Sequence, residues 1–350
     1  MQAVTVHGKD DLRVEEVADP HPGPGQVLVA MQWGGICGSD ISYWHKGFSG
    51  TAVLQEPLVL GHEVSGRIER IGEQAQQAMD ELGLRVGDPV TVHPATLVGD
   101  HDVPAELSER TNLWPEVRYF GSAAFFPHEQ GGFGTHRAVR PDQLRRIPDG
   151  VALKAAALAE PFGVALHAVS QAGDIHGRSV LVNGCGPIGA LAVAAALRAG
   201  ARRIVAADLS AASLEIARQM GAHESVDLSA GQQLPAEVDV AIEASGAPAA
   251  LAGVIAAVRR GGTIVQVGNL PGGEVPVALG GIVTREITYR GSYRFVDEIS
   301  DALRLMAEGV DVSPLMTHEV TLADAVHGFE LAADRSTGSS KVMIDLRGTA

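Results

Sequence analysis

Two textures of hydrophobic patterning divide the chain. Up to about residue 150, apolar and polar residues alternate over short windows punctuated by turn signals. "AVTV", "QVLVAM" after "PHPGPG", "VSGRIERIG" and "DPVTV" read as half-buried strands of a compact β-rich domain. From Ala152 the texture changes to Ala-rich helical windows alternating with apolar strands. "SVLVN" predicts a strand and 187–199 a helix, with Pro187 tolerated in its first turn. "RIVAAD" predicts the next strand, followed by a helix over 210–220 that Gly221 ends. "VDVAIEAS" is a strand, 249–260 a helix closed by Gly261 and Gly262, and "TIVQVG" a strand again. Such alternation implies a parallel sheet covered by helices on both faces. Beyond Gly291 it is lost, leaving a helix near 296–308 and short pieces up to "KVMIDL". The expectation is an α/β protein: a β-rich domain of residues 1–150 and 291–350, and a doubly wound parallel sheet over 151–290.

Length supports two domains, because 350 residues exceed what one core usually serves. No stretch reaches the ~20 uncharged apolar residues of a membrane span; the most apolar run, "ALAVAAAL", stops at Arg198. The N-terminus, "MQAVTVHGKDDLRVEE", alternates and soon becomes charged, unlike a secretory signal. A net charge of -15 argues against nucleic-acid or anionic-membrane partners, which need clustered Lys and Arg. Two cysteines allow one disulfide at most. A cytoplasmic protein is expected.

"SVLVNGCGPIGALAV" reads as strand, G-x-G-x-x-G turn and helix. Gly184 permits the turn, Gly186 lets the backbone approach a pyrophosphate, and Gly189 lets helix and strand pack closely. Pro187 and Ile188 open the helix, whose N-terminus presents amides and a positive dipole end to that anion. Asp208 ends the next strand, where a carboxylate accepts from ribose hydroxyls and repels a 2′-phosphate. Arg202 and Arg203 precede that strand, at its wrong end for a phosphate, so NAD is expected over NADP. Val267 and Gly268, closing "TIVQVG", are further cofactor candidates. A nicotinamide cofactor means hydride transfer, so the other domain must polarise an alcohol or a carbonyl.

The β-rich domain offers a thiol (Cys37 in "GGICGSD"), an imidazole (His62) and two carboxylates (Glu63, Glu160), a donor mixture that suits tetrahedral zinc. Asp40 is available to hold the second ring nitrogen of His62. Cys185 belongs to the glycine turn, as a small residue in a crowded place.

"GGICGSD", "LVLGHE", "AEP" and "GCGPIG", in this order along the chain, resemble the zinc-containing medium-chain dehydrogenases. "VRYFGSAAFFPHEQGGF" and "REITYRGSYRF" are similar to the polyol branch, with L-idonate 5-dehydrogenases nearest. The resemblance implies a GroES-like catalytic domain joined to a Rossmann domain. It also implies Cys37 and His62 as zinc ligands, with Glu63 and Glu160 sharing the remaining place in an order the sequence leaves open. Ser39 would carry the substrate proton outward; Tyr43 and Arg294 would meet substrate, with Arg118 a second candidate for a carboxylate. His45 does not stand at the usual relay spacing and reads as a surface residue. The implied substrate is a sugar acid or polyol, L-idonate to 5-keto-D-gluconate first. Sorbitol, xylitol or threonine dehydrogenase are alternatives, followed by a zinc-free quinone reductase or a non-catalytic nucleotide binder. A homodimer or homotetramer is implied too, with "TIVQVG" and "VPVAL" as candidate pairing segments.

One departure from the family stands out. Most relatives hold a second, structural zinc with four cysteines, whereas "HPATLVGDHDVPAELSERTNLWPEVRYFG" contains none. His101 and its acidic neighbours read as a solvated loop, and Leu107, Leu113 and Trp114 as the packing that replaces the metal. One catalytic zinc per chain is expected.

Overall fold

The computed structural model describes residues 1–97 and 102–348. It divides into two compact units, each described by itself. One comprises Met1–Glu160, Ile299–Gly309 and Met316–Ala350; the other comprises Pro161–Glu298 and Val310–Leu315.

The first unit is built on a sheet whose strands run in the order Leu144–Arg146, Pro89–Val92, Glu63–Ile71, Val27–Gly35, Lys341–Asp345, Met316–Thr321. Neighbours are antiparallel except the last pair, which is parallel. The alternation read from the sequence puts Val27, Val29 and Met31 on the buried face, in a core shared with Val64, Val90, Phe133 and Phe329. Register matters most at one end, where Gly35 lies opposite both Glu63 and Met343. Cys37, two residues past Gly35, is thereby delivered beside Glu63 and the final strand.

In the second unit six parallel strands form one sheet: β1 (Ser179–Asn183), β2 (Arg203–Asp208), β3 (Glu224–Asp227), β4 (Val238–Glu243), β5 (Val258–Gln266) and β6 (Thr288–Gly291). Their order is β3-β2-β1-β4-β5-β6. This is the Rossmann arrangement, whose strand order reverses between β1 and β4. Helix Pro187–Arg198 is buried from Gly189 to Ala196, its alanines allowing close approach to the sheet. Ser210 caps the next helix, Ala211–Gln219, accepting from the Ser213 amide. The chain is therefore α/β, a β unit built on a largely antiparallel sheet plus a Rossmann unit. Among the described residues no helix is long and apolar enough to cross a membrane.

Two local expectations need correction. The helix expected over 249–260 is Pro248–Ala257, and β5 begins at Val258. Tertiary partners pull the chain straight there: Arg259 pairs with Asp239 at 2.6 Å, and Arg285 donates to the carbonyl oxygens of Ala256 and Val258. Within the cysteine-free lobe Leu113 is 37% exposed, so it packs little. Trp114 instead donates its ring N–H to the Leu107 carbonyl at 2.9 Å, beside the paired strands Ala95–Leu97 and Val117–Tyr119. His101 lies outside the described residues.

Asp239 clamps the start of the Rossmann sheet. It accepts from the Ser179 amide (2.8 Å), the Ser179 hydroxyl (2.7 Å) and Arg259. Burial pushes its carboxyl up, but these donors outweigh it and hold the pKa down at about 2. Asp239→Ala should cost about 1–3 kcal/mol in urea unfolding at neutral pH. Because the folded pKa lies below the unfolded value, the advantage of the parent protein is complete above pH ~4 and must shrink as pH falls toward ~2.

Candidate functional site

Cys37 ends the turn between strand Val27–Gly35 and helix Gly38–Lys46. Asp40, in the helix's first turn and fully buried, accepts from the Cys37 amide at 3.0 Å and from the Gly61 amide at 3.3 Å. Its Oδ1 stands 3.7 Å from Nδ1 of His62, an ionic contact too long for a direct hydrogen bond. One carboxylate thus places the thiol and the imidazole together. Burial pulls the His62 pKa down, but Asp40, Cys37 and Glu160 outweigh it and raise it well above the ordinary value. The same negative field attracts a metal cation.

Cys37, His62 and Glu63 each offer a donor atom, and the three atoms lie within 4.8 Å of one another. Glu63 is 1% exposed, and its Oε1 meets Nζ of Lys341 at 2.5 Å. Lys341, itself 3% exposed, also donates to the Ile36 carbonyl at 3.0 Å. Burial raises the Glu63 carboxyl to about 7, and Lys341 opposes the rise. The other oxygen, Oε2, is buried without a hydrogen-bond partner. Buried polar atoms are rarely left so unless an ion or water completes them. Gly35 makes room for that oxygen, since a Cβ there would collide with it. Sulfur, imidazole nitrogen and carboxylate oxygen form a donor set that suits one zinc ion, which Cys37, His62 and Glu63 would hold.

Glu160, in the first turn of helix Ala159–Ser170, is also buried, and its Oε1 accepts from the Tyr119 hydroxyl at 2.6 Å. Its charge acts on both His62 and Glu63, though it stands outside the three-residue group. Ser39 is half-buried at the second position of the Cys37 helix. Tyr43 belongs to the core rather than to an open wall: it is 3% exposed, and its hydroxyl accepts from the Ala123 amide at 2.9 Å. Arg118 donates to the Pro127 carbonyl and lies over the Phe125 ring. His45 is exposed and pairs with Asp10 at 3.0 Å. Arg294 lies in the second unit with φ +51°, its guanidinium 4.9 Å above the Tyr293 ring. Sequence reasoning missed Lys341 and Tyr119. Lys341 left one faint signal, a cation opening the apolar strand "KVMID".

In the second unit the glycine turn joins β1 to helix Pro187–Arg198. Gly184 has φ +87°, and a Cβ there would stand 2.5 Å from the Ser245 amide. At Gly189 a Cβ would press on the Gly184 carbonyl, while Gly186 faces open space. Asp208 accepts from the Cys185 amide at 2.6 Å and the Ser210 amide at 2.8 Å, bringing the end of β2 to the turn. Val267 and Gly268 both donate their amides to the Glu243 carbonyl at 2.9 Å. Cys185 is buried, and burial pushes its thiol up to about 12, so it is unreactive.

Residues 23–149 match the alcohol dehydrogenase GroES-like domain, and residues 187–308 match the zinc-binding dehydrogenase domain. The chain is 34% identical over 349 residues to the L-idonate 5-dehydrogenase (NAD(P)(+)) of Escherichia coli, covering 98% of each protein. The chain belongs to the zinc-binding alcohol dehydrogenase family. A sorbitol dehydrogenase of Gallus gallus is 34% identical over 344 residues, covering 94% of this chain and 92% of that one. Among solved structures, the Escherichia coli L-idonate 5-dehydrogenase superposes with a TM-score of 0.88 at 33% identity, covering 98% of this chain and 97% of the other. A 2R,3R-butanediol dehydrogenase from Bacillus subtilis gives 0.85 at 30% identity, covering 98% and 99%. Family membership makes this chain a zinc-type medium-chain dehydrogenase of the alcohol and polyol class.

The Lys341–Glu63 pair is deeply buried, so removing one partner strands the other. Lys341→Met should cost about 3–5 kcal/mol in denaturant unfolding of chelator-treated protein. Adding Glu63→Gln to that variant should restore most of the loss.

Proposed function

We propose that this dehydrogenase uses one zinc and NAD to oxidise a secondary hydroxyl of a sugar acid or polyol, with L-idonate, giving 5-keto-D-gluconate, as the first candidate. The observation that carries the reading is the group of Cys37, His62 and Glu63, whose donor atoms lie within 4.8 Å of one another while one buried Glu63 oxygen has no hydrogen-bond partner. On this reading Cys37, His62 and Glu63 would hold the metal, and Glu160, whose Oε1 accepts from Tyr119, would add its charge to the site. Bound there, zinc would supply Lewis acidity toward a substrate hydroxyl and the nicotinamide would supply the hydride acceptor. Asp40 fixes the thiol and imidazole donors, and Lys341 turns Glu63 so that one oxygen is left over. Ser39, two residues past Cys37, passes the substrate proton outward through its hydroxyl.

The second unit takes the cofactor, with the pyrophosphate on the turn of Gly184, Gly186 and Gly189 and the amides of helix Pro187–Arg198 that begin at Ile188. Asp208 faces the adenosine ribose. Arg203, the nearest candidate for a 2′-phosphate in sequence, starts β2 at the far end and pairs with Glu224 through two 2.7 Å bonds. That arrangement favours NAD over NADP. The idonate assignment draws on the Escherichia coli relative, and sorbitol dehydrogenases at equal identity are the second reading. The working form is a homo-oligomer with one zinc per chain, the lobe being held by Trp114 and its neighbours without metal.

Elemental analysis should find one zinc per chain, and prolonged chelation should abolish activity until zinc returns. Initial rates with NAD should be highest on a sugar acid. A panel in which sorbitol or xylitol wins reverses the order of the two readings. Arg294→Ala should raise KM for the sugar acid about tenfold or more through loss of a bidentate carboxylate contact, and leave an uncharged polyol nearly unchanged. Equal losses on both would remove Arg294 from carboxylate recognition.

A further inference from the structure

The second unit buries a carboxylate that the chemistry above does not use. Glu243 ends β4 with no exposed surface, and every side-chain contact the structure gives it comes from a neutral donor. Its Oε1 accepts from Asn183 Nδ2 at 3.2 Å, from the Ser245 amide at 2.9 Å and from the Ser245 hydroxyl. Its Oε2 accepts from the Gly246 amide at 3.2 Å and from Gln266 Nε2 at 2.5 Å. The backbone oxygen of the same residue takes the Val267 and Gly268 amides.

These partners come from three different chain segments. Asn183 is the last residue of β1, directly before the glycine turn, and its backbone oxygen accepts from the Ala244 amide at 2.8 Å. Ser245 and Gly246 form the loop after β4. Gln266 ends β5, donates also to the Gly268 carbonyl at 2.7 Å, and accepts from the Tyr289 hydroxyl at 2.9 Å. The loops touch: a Cβ on Gly268 would collide with the Gly246 amide. All lie at the carboxyl ends of parallel strands around the switch point, where dinucleotides bind in such sheets.

We propose that Glu243 is a positioning residue for the nicotinamide half of the cofactor. One buried carboxylate ties Ser245, Gly246 and Gln266, whose side chain also holds the Gly268 carbonyl, to Asn183 on the strand that carries the glycine turn. Backbone groups for the ring half are then set before the cofactor arrives, which lowers the ordering cost of binding. A structural role alone would stabilise the whole sheet and would favour neither half of the ligand. The adenosine half is governed by Asp208 and the helix amides from Ile188 onward, to which Glu243 makes no bond. The inference rests on the dinucleotide reading of that turn, so the test separates the two.

Dissociation constants for NAD and for ADP-ribose, which lacks the nicotinamide, are measured by calorimetry on the full chain and on Glu243→Gln. The introduced amide would turn a donor toward donors. NAD should weaken about tenfold and ADP-ribose less than about twofold. Ser245→Ala, which removes only the hydroxyl contact, should show the same selectivity at about threefold and serves if Glu243→Gln does not fold. Parallel weakening of both ligands, or no change in either, overturns the positioning role. Failure of the parent protein to bind either ligand overturns the dinucleotide reading beneath it.

Discussion

Negative charge gathered in a dry place is the constraint around which the catalytic unit is organised. Cys37, Asp40, Glu63 and Glu160 converge on His62, and Asp40, Glu63 and Glu160 are nearly inaccessible to water. In a medium of low effective dielectric such a group is costly unless cations or directed hydrogen bonds compensate it. Lys341 answers one carboxylate oxygen, Tyr119 a second, and backbone amides answer Asp40. One oxygen of Glu63 has no answer from the protein, and there a divalent cation fits.

The cofactor unit handles its carboxylates by a different route. Asp208 and Asp239 accept from backbone amides of another strand or turn, and Glu243 from the side-chain amides of Asn183 and Gln266, so each acts as a cross-tie between elements that are distant in sequence. A parallel sheet needs such ties, because its strand ends come from crossovers and no hairpin turn sets their register. An acidic chain of net charge -15 thus turns some of its surplus carboxylates inward as structural acceptors. Only Asp239 among the three has an arginine on it in the structure; Glu243 works entirely with neutral donors.

The two units also divide the labour of rigidity. Helix Pro187–Arg198 packs by alanine against the sheet, which suits a support that should not move. In the catalytic unit the donors arrive from a turn, a strand start and the first turn of a helix, so their placement depends on the bonds of Asp40 and Lys341. Fine placement of a metal ligand set by surrounding hydrogen bonds is the usual way a site is tuned.

Features carried by local pattern were legible in the sequence alone. Period-2 alternation, the strand–glycine turn–helix order and the acidic end of β2 need only neighbours within a few residues, and the α/β architecture follows from them. Cys37 and His62 could be singled out for the same reason, each sitting in a short distinctive stretch. Tertiary structure gathered Glu63 with them and supplied the partners of both carboxylates, Lys341 reaching Glu63 across 278 residues and Tyr119 reaching Glu160 across 41. It also drew Tyr43 into the core, ended the helix at Ala257 and left Leu113 in solvent. For Tyr43 and the helix end a partner remote in sequence outweighed local preference, since buried charges and amides must be satisfied wherever in the chain a partner is found.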